Sequence, residues 1–527
     1  MPRARAVHVL LILAAVGVAA LSFRAPGVDR AIFRDWADDA FFYVVVADNV
    51  VEGRGSTSDG IGRTNGYHPA WMAVHVAVRS LFDDPLRPLA AIQFALLAAV
   101  MLLLYRMLSE RLGPTPALIA ALIASFETSY RRVLGAGMET ELAFAALLLL
   151  LVLLRGVRLH EIERKRRLAI QGALALLFFA RLDGALFWIG LAGILAVERA
   201  RLSSILRLFA PPAALAAIYL AFNALYFGSA MPISGRIKAL GLADIAAKGV
   251  DYVRNVFDRL VLLYGLRTSQ ELEFSIHFPR RDGFHLAEWA LYLVVAGVTI
   301  AYLTRRWSKR GELDLAMKTL LAGVALHTIY YAFLQWDDYA LSWARGPELL
   351  LLTVAAATIV APLLRPRPIG YIAVFLTLVL LVRTQRESVH RAGVVRDFNT
   401  SGKAFLEGVA FLREHAAPDE IIASESLGFV GHYADRRIVS LDGLLNSVDY
   451  YRRYLRPGRI GDYLREHRVR YIAQGIRKDA DPIAYMSGVL GVAPADLSIA
   501  ASFDGPATIP RRYVVWDLHR GAHVAAP

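Results

Sequence analysis

The sequence predicts a polytopic α-helical membrane protein with a soluble α/β domain at its C-terminal end. Three observations support this fold class. The 527 residues are 56% hydrophobic with a mean hydropathy of +0.43, which is more apolar surface than one soluble core buries. Apolar segments recur between short polar connections as far as Arg383. Beyond that residue charged side chains are frequent, and no stretch is long enough to cross a bilayer.

A spanning helix needs about 20 predominantly apolar residues, and about eleven segments approach this length when flanking residues are included. They lie within Val7–Phe23, Leu89–Leu104, Pro116–Phe126, Leu142–Leu154, Leu168–Ala180, Ala185–Val197, Leu208–Phe227, Leu286–Leu303, Leu320–Phe333, Leu349–Leu364 and Ile369–Val382. The first segment also resembles a cleavable signal peptide, because Arg3 and Arg5 precede a short apolar run. We favour a retained helix, since the carboxylates that follow it need an anchored position.

Basic residues in the connections indicate how the helices are oriented. They gather in alternate connections, as is typical of the cytoplasmic side of a plasma-membrane protein. These connections contain Arg106 with Arg111, Arg164–Arg167, Arg199–Arg207, Arg305–Arg310 and Arg365–Arg367. The alternation places the N-terminus in the cytoplasm and the C-terminal domain outside it. It also requires the helical segment Trp71–Phe82 to lie along the outer surface, with a short true span as the alternative.

The composition excludes several other classes of protein. The net charge of +13 follows from the basic connections and does not indicate nucleic-acid binding, because Lys and Arg are not gathered on one soluble face. The absence of cysteine excludes disulfides, cysteine-type zinc sites and thiol catalysis. No Walker-type Gly-Lys-Ser/Thr, His-Glu-x-x-His or Gly-x-Ser-x-Gly motif is present, so an ATP-driven pump is not expected.

We therefore divide the chain into a membrane module, residues 1–383, and an extracytoplasmic domain, residues 384–527. The sequence of the extracytoplasmic domain alternates between helix-like and strand-like patterns, which is typical of an α/β domain. The predicted elements are a helix at Gly402–His415, strands at Glu420–Ser424 and Arg437–Leu441, a helix at Ile460–Val469, and strands at Tyr471–Gln474, Ser498–Phe503 and Arg512–Trp516.

The outer connections contain most of the unusual polar clusters. These are Asp38–Asp39, Thr64–Pro69, Gly137–Thr140, Arg181–Gly184, Pro232–Lys238 and Trp336–Arg345. A charged side chain at the bilayer centre costs about 2.5–3.5 kcal/mol on insertion scales, so clustering at one face predicts a polar cavity at that interface. For any single cluster, the simpler explanation is that polar residues are normal at helix ends.

The first outer connection, residues 24–86, resembles that of the GT-C glycosyltransferases. The resemblance rests on the run Asp38–Tyr43 (DDAFFY) and on Thr64–Trp71 (TNGYHPAW). It extends loosely over most of the chain, through Gly137–Thr140, Arg181–Gly184 (where relatives often have Pro in second place), Tyr226–Gly228 with Pro232 and Lys238, and Leu441–Asn446. These multi-spanning enzymes use polyprenyl-phosphate-linked sugars and include protein mannosyltransferases, aminoarabinose transferases and mycobacterial arabinofuranosyltransferases. The resemblance implies two interfacial helices in this connection.

The resemblance also implies a catalytic role for the acidic pair. Transfer of a sugar from a lipid phosphate needs a base that takes the proton of the acceptor hydroxyl, and one carboxylate suffices for an inverting displacement. Asp38 matches the acidic position that the family uses, and Asp39 would orient the acceptor or help to bind a metal. Mg²⁺ or Mn²⁺ is the expected ion if one is needed. The alternative is that the pair is the N-cap of a helix at Ala40–Val46.

Cations at the membrane surface are needed for the donor phosphate, and arginine and lysine both suit it. Lys238, Arg236, Arg345 and Arg181 are the candidates, although Arg181 has Asp183 as a nearby partner, and each is equally suited to anchoring in lipid headgroups. We also predict substrate-binding roles for Tyr43, Asn65, Tyr67, His68, Trp71, Glu139, Asp183 and Asp338. For Tyr67, His68 and Trp71, the alternative is simple anchoring at the membrane interface.

The predicted function is that of an inverting glycosyltransferase in the plasma membrane. It would move a sugar from a polyprenyl-phosphate donor to a hydroxyl of a glycan, lipid or protein acceptor at the extracytoplasmic face. The alternative is a transporter or flippase of a lipid-linked sugar, which should show repeat symmetry and polar groups near the midplane. A non-catalytic lipid-binding scaffold would leave Asp38 and Asp39 unexplained.

Overall fold

The computed structural model describes residues 2–24, 28–126, 134–157, 162–240, 314–335, 344–364, 367–391, 403–505 and 511–518, with a few positions between 252 and 263. Among the described residues up to position 391, almost all lie in helices. They are α1 (Pro2–Arg24), α2 (Val28–Asp35), α3 (Asp38–Val51), α4 (Pro69–Leu81), α5 (Leu86–Leu112), α6 (Pro114–Phe126), α7 (Thr140–Leu154), α8 (Arg164–Ala180), α9 (Ala185–Val197), α10 (Leu202–Phe227), α11 (Ile233–Lys238), α12 (Leu315–Phe333), α13 (Gly346–Val360) and α14 (Arg367–Arg391).

The predicted apolar segments coincide with helices wherever the structure describes them. The segment Leu286–Leu303 lies outside the described residues. Two of the described helices, α5 and α10, are long and apolar enough to cross a bilayer, and six others contain shorter apolar stretches of 10–17 residues. The number of crossings therefore stays a prediction.

Helix α4 matches the predicted segment Trp71–Phe82. Its 13 residues rise by about 20 Å, which is shorter than the hydrocarbon core of about 30 Å. Pro69 occupies the first helical position, where its missing N–H costs no hydrogen bond. The helix itself is confirmed, and its interfacial location stays a prediction.

The described chain separates into two compact units. The first unit comprises residues 1–28, 90–217 and 238–390, and its core is built from aliphatic faces of the apolar helices. Leu148, Leu174, Leu191 and Leu320 are among its fully buried residues. Helices α9 and α12 approach closely, because a Cβ at Gly323 would overlap the ring of Phe187.

The second unit comprises residues 29–89, 218–237 and 391–527, so it combines the first outer connection with the tail. Its five-stranded sheet has the order β2-β1-β3-β5-β4, in which β1 is parallel to both of its neighbours and β5 is antiparallel to both of its own. The tail elements are α15 (Lys403–His415), β1 (Ile421–Ser424), α16 (Leu427–Ala434), β2 (Arg437–Ser440), α17 (Val448–Tyr450), α18 (Ile460–Glu466), β3 (Tyr471–Arg477), α19 (Pro482–Leu490), β4 (Leu497–Asp504) and β5 (Arg511–Leu518).

Every strand predicted for the tail is present, and so are the two predicted tail helices. Helices α16 and α19 were not predicted from the sequence. Helix α16 has eight residues, including two glycines, which is too short for a periodic pattern to show. Helix α19 did carry a signal, because Asp481 caps it and Pro482 follows at the first helical position.

Candidate active site

Helix α3 begins at Asp38, and Asp39 also lies in its first turn. Two carboxylates in the first turn are stabilised by the partial positive charge at the helix N-terminus. The N-cap position itself is held by Ala37 and has no side-chain hydrogen bond, so the acidic pair is not the N-cap of α3.

The Asp38 carboxylate instead contacts the tail. Its Oδ1 accepts a hydrogen bond of 2.7 Å from the main-chain N–H of Phe429, in the first turn of α16. The two residues are separated by 391 positions in the sequence. Asp38 therefore satisfies a free N–H of a helix that belongs to the tail.

The surroundings of Asp38 raise the affinity of its carboxylate for a proton. Burial raises the pKa of this carboxyl well above its usual range, and the hydrogen bond from Phe429 opposes that rise. The negative charges of Asp39 and Asp442 raise the pKa further. A carboxylate with a raised pKa is the kind of group that takes up a proton in general base catalysis.

Two of the motifs that carried the resemblance lie against each other in the second unit. A Cβ on Gly66 would overlap the carbonyl oxygen of Leu444, so the Thr64–Pro69 run and the Leu441–Asn446 run are in direct contact. Ser58 adds a 3.2 Å hydrogen bond from its hydroxyl to the carbonyl of Leu445.

Asp442 and Asn446 stabilise the turn that connects β2 to α17. Asp442 Oδ1 accepts hydrogen bonds from the Leu444 N–H, at 3.0 Å, and from the Ser440 hydroxyl. The Asn446 amide bonds both the N–H and the carbonyl of Ser440, at 3.1 and 3.0 Å. These contacts give both residues a structural role.

The polar residues of the first outer connection mainly fix its path. Asn65 accepts a 3.1 Å hydrogen bond from the Ile233 N–H at the start of α11. The hydroxyls of Tyr67 and Ser56 lie 2.7 Å apart. The Tyr43 hydroxyl accepts from the His68 N–H at 3.3 Å.

Trp71 is 1% exposed, and its ring lies edge-on to that of His75. The face of Trp71 is therefore not open to a sugar in this structure.

The predicted donor cations are distributed over both units. Arg236 is exposed, and its guanidinium lies 5.9 Å from the centre of the Tyr451 ring. Lys238 is half-buried at the end of α11, and Arg345 is buried at the start of α13. Arg236 belongs to the second unit, whereas Arg345 and Arg181 belong to the first. Asp338 lies outside the described residues.

Three predicted residues do meet in the first unit. Arg181 Nη1 lies 2.6 Å from Glu139 Oε1, and Arg181 Nη2 lies 2.9 Å from Asp183 Oδ2. All three side chains are largely shielded from solvent. The expected pairing of Arg181 with Asp183 is confirmed. Because the guanidinium also pairs with Glu139, these two carboxylates would compete with a donor phosphate for it.

This network includes three residues that the sequence analysis missed. Tyr331 donates a 2.5 Å hydrogen bond to Asp183 and accepts one of 2.8 Å from Arg181. His327 Nδ1 lies 2.8 Å from Glu348 Oε1, and His327 Nε2 lies 3.7 Å from Asp183 Oδ2. A histidine and a glutamate are unusual within apolar helices. Their presence in the sequence could have predicted that α12 and α13 make polar contacts with neighbouring helices.

A cavity of about 30 Å³ lies beside this network, lined by Thr140, Phe144, Arg181, Asp183 and His327 among others. It has room for about one water molecule. Thr140 Oγ1 is buried and has no hydrogen-bond partner among the described residues. The cavity is too small for a sugar, so the network is a structural feature of the first unit rather than a sugar pocket.

The structure offers no metal site of three or more His, Asp or Glu side chains among the residues it describes. Asp38 and Asp39 alone are too few ligands for Mg²⁺ or Mn²⁺ without waters or substrate oxygens.

Several solved structures share the fold of this chain. An oligosaccharyltransferase from Archaeoglobus fulgidus, tethered to an acceptor peptide with the NVT sequon, is 14% identical, with a TM-score of 0.52 over 91% of this chain and 70% of its own. AglB from the same organism, in complex with an inhibitory peptide and a dolichol-phosphate, is 14% identical, with a TM-score of 0.50 over 95% of this chain and 74% of its own. ArnT from Cupriavidus metallidurans in the apo state is 11% identical, with a TM-score of 0.52 over 98% of this chain and 99% of its own.

No protein-family model matches the sequence, and no curated protein does. The structural neighbours are members of the GT-C superfamily, so the predicted resemblance is confirmed at the level of the fold. These neighbours are multi-pass membrane proteins.

Proposed function

We propose that this chain is a GT-C-type glycosyltransferase that moves a sugar from a polyprenyl-phosphate donor to an acceptor hydroxyl at the extracytoplasmic face of the plasma membrane. The observation that carries the proposal is the Asp38 carboxylate. It begins a helix of the first outer connection and has a raised pKa. The shared fold also supports the proposal, because the solved neighbours are transferases and one of them is in complex with a dolichol-phosphate.

In the proposed reaction, Asp38 takes the proton of the acceptor hydroxyl as its oxygen forms a bond to the anomeric carbon. The bond from that carbon to the phosphate oxygen breaks, and polyprenyl phosphate leaves with the electron pair. One displacement of this kind inverts the configuration of the sugar. Asp39, next to Asp38 in the first turn of α3, would orient the acceptor.

The leaving phosphate needs positive charge. Arg236 and Lys238 lie in the predicted outer cluster Pro232–Lys238, and neither is fully buried. We propose them as donor-phosphate ligands in preference to Arg181, whose guanidinium is already held by Glu139 and Asp183.

The test is a transfer assay with purified protein in proteoliposomes. A panel of radiolabelled polyprenyl-phosphate sugars is supplied with and without Mg²⁺ or Mn²⁺, and both transfer and donor hydrolysis are measured. The two metal conditions matter because an Archaeoglobus fulgidus relative has been solved in complex with Zn and sulfate.

The variant Asp38→Asn keeps an oxygen that accepts from Phe429 but removes the base. We expect transfer to fall by about 10²-fold or more, the usual contribution of a general base. The matched control is Asp29→Asn, which removes an exposed carboxylate in the preceding helix and should leave transfer unchanged. Undiminished transfer by Asp38→Asn would contradict the assignment of the base. Absence of transfer and hydrolysis with every donor would favour the transporter instead.

A further inference from the structure

Helix α16 of the tail lies directly against α3, and two glycines make this possible. A Cβ at Gly428 would overlap the main-chain carbonyl oxygen of Asp38 and lie 2.9 Å from Cβ of Phe41. A Cβ at Gly431 would lie 3.1 Å from a methyl carbon of Val45. The two helices are therefore in contact through main-chain atoms at the position of the acidic pair.

The hydrogen bond to Asp38 uses a donor that α16 does not need. The first main-chain bond of this helix runs from the Val430 N–H to the Ser426 carbonyl, at 3.2 Å. The Phe429 N–H precedes it and has no acceptor within its own helix. At 2.7 Å to a carboxylate oxygen, this bond is in the range of a charge-assisted hydrogen bond.

Aromatic contacts fix α16 in this place. The Phe429 ring lies 4.9 Å from that of Phe41 and 5.3 Å from that of Phe33. Phe405, on α15, adds a contact of 6.1 Å to the same ring. Since α15 also belongs to the tail, the N-terminus of α16 is held from both the first outer connection and the tail.

We propose that α16 is a positioning element for the Asp38 carboxylate, with the main-chain N–H of Phe429 and the bare Cα of Gly428 as the groups that hold it. This inference rests on the proposed function and deepens it, because it gives the tail a role in the transfer step. With Oδ1 fixed by the Phe429 N–H, the carboxylate has one orientation toward the acceptor hydroxyl. A general base works only when it is held within hydrogen-bond reach of the proton it takes.

The opposing explanation is that α16 only stabilises the second unit. A purely structural role would make the loss of activity follow the loss of stability. A positioning role would lower kcat while the KM values for donor and acceptor stay the same, because binding of the substrates does not depend on the orientation of Asp38.

The central comparison is Phe429→Pro against Phe429→Ala, measured in the proteoliposome transfer assay with the most active donor. Both variants lose the aromatic ring, and only the proline also loses the N–H. Proline is tolerated in the first turn of a helix, and here it breaks no bond within α16. We expect kcat of the proline variant to be about tenfold below that of the alanine variant, the effect of one hydrogen bond to a charged group. The KM values for donor and acceptor should agree within about twofold.

A second pair of variants covers the case in which Phe429→Pro does not fold. Gly428→Ala pushes a methyl group against the main chain of Asp38 and should also lower kcat. Gly488→Ala lies on α19 of the same tail, where an added Cβ meets no atom within 4 Å, and it should behave as the wild type. Melting temperatures are recorded for all four variants.

The outcomes separate the two proposals. If the wild-type protein transfers no sugar from any donor, the proposed function fails and the positioning role fails with it. If the wild type is active and Phe429→Pro matches Phe429→Ala in kcat, the positioning role alone is refuted. Should the proline variant not fold, equal kcat values for Gly428→Ala and Gly488→Ala refute it in the same way.

Discussion

Replacing Arg181 by alanine should destabilise the first unit severely. Arg181 pairs with Glu139 at 2.6 Å and with Asp183 at 2.9 Å, and the side chains of these carboxylates are only 1% and 10% exposed. Without the guanidinium, both buried carboxylates would lose the cation that they share, and His327 Nε2 lies 3.7 Å from Asp183 Oδ2. Removing one partner of a buried ion pair costs about 3–5 kcal/mol.

An exposed ion pair of the same chain provides the control for this loss of stability. Arg87 and Asp29 form an ion pair of 3.6 Å in which both side chains are more than half exposed. An exposed pair is worth only about 0–1 kcal/mol. Arg87→Ala should therefore leave the melting temperature almost unchanged, while Arg181→Ala should lower it by several degrees or more.

Melting temperatures of the purified protein in detergent, followed by tryptophan fluorescence, are the measurement. The triple variant that adds Glu139→Gln and Asp183→Asn to Arg181→Ala should recover part of the loss, because it removes the two buried charges that the guanidinium no longer balances. Equal melting temperatures of Arg181→Ala and Arg87→Ala would contradict the expected destabilisation. A further decrease on adding Glu139→Gln and Asp183→Asn would contradict it as well.

Two further predictions concern the second unit. Burial lowers the pKa of His432 to about 4, so the folded state resists protonation that the unfolded chain accepts near pH 6.5; stability should be fully present above pH 6.5 and be lost as the pH falls toward 4. Melting curves of His432→Phe should lose much of this acid sensitivity, and an unchanged pH profile would show that another group causes it. Gly66→Ala should cost about 1–3 kcal/mol of stability, because its methyl group meets the fixed carbonyl of Leu444. Gly235→Ala, at a helical glycine with open space, should not lower the melting temperature, and equal melting temperatures of the two variants would count against the predicted overlap.

The sequence predicted the regular elements well because each of them carries its own local pattern. Strands such as Tyr471–Arg477 and apolar helices such as Ala185–Val197 follow from residues within a single window. Helix α16 has no such pattern, because its eight residues are nearly all apolar and its burial comes from both α3 and β2. Its boundaries depend on tertiary contacts that a window cannot contain.

The sequence predicted several residues of the candidate site, but not most of the partners to which they are bonded. The pair Asp38–Asp39 was recognisable from the sequence, and so was the short-range partner of Arg181 at Asp183. The partner of Asp38 is a main-chain N–H, which every residue except proline has and which therefore leaves no mark in the sequence. Glu139 and Tyr331 are separated from Arg181 by 42 and 150 positions, so only the fold reveals them as its partners.

The two polar centres of the described chain differ in a way that bears on function. In the first unit, Arg181, Asp183 and Glu139 neutralise one another in part, and Tyr331 completes their hydrogen bonds. In the second unit, burial raises the pKa of Asp38, nearby carboxylates raise it further, and the donors that oppose this rise are uncharged main-chain N–H groups. Charges that are paired stabilise a fold, whereas a carboxylate held near like charges is kept ready to take up a proton. This contrast is why we place the proposed base at Asp38 and assign a structural role to the larger network around Arg181.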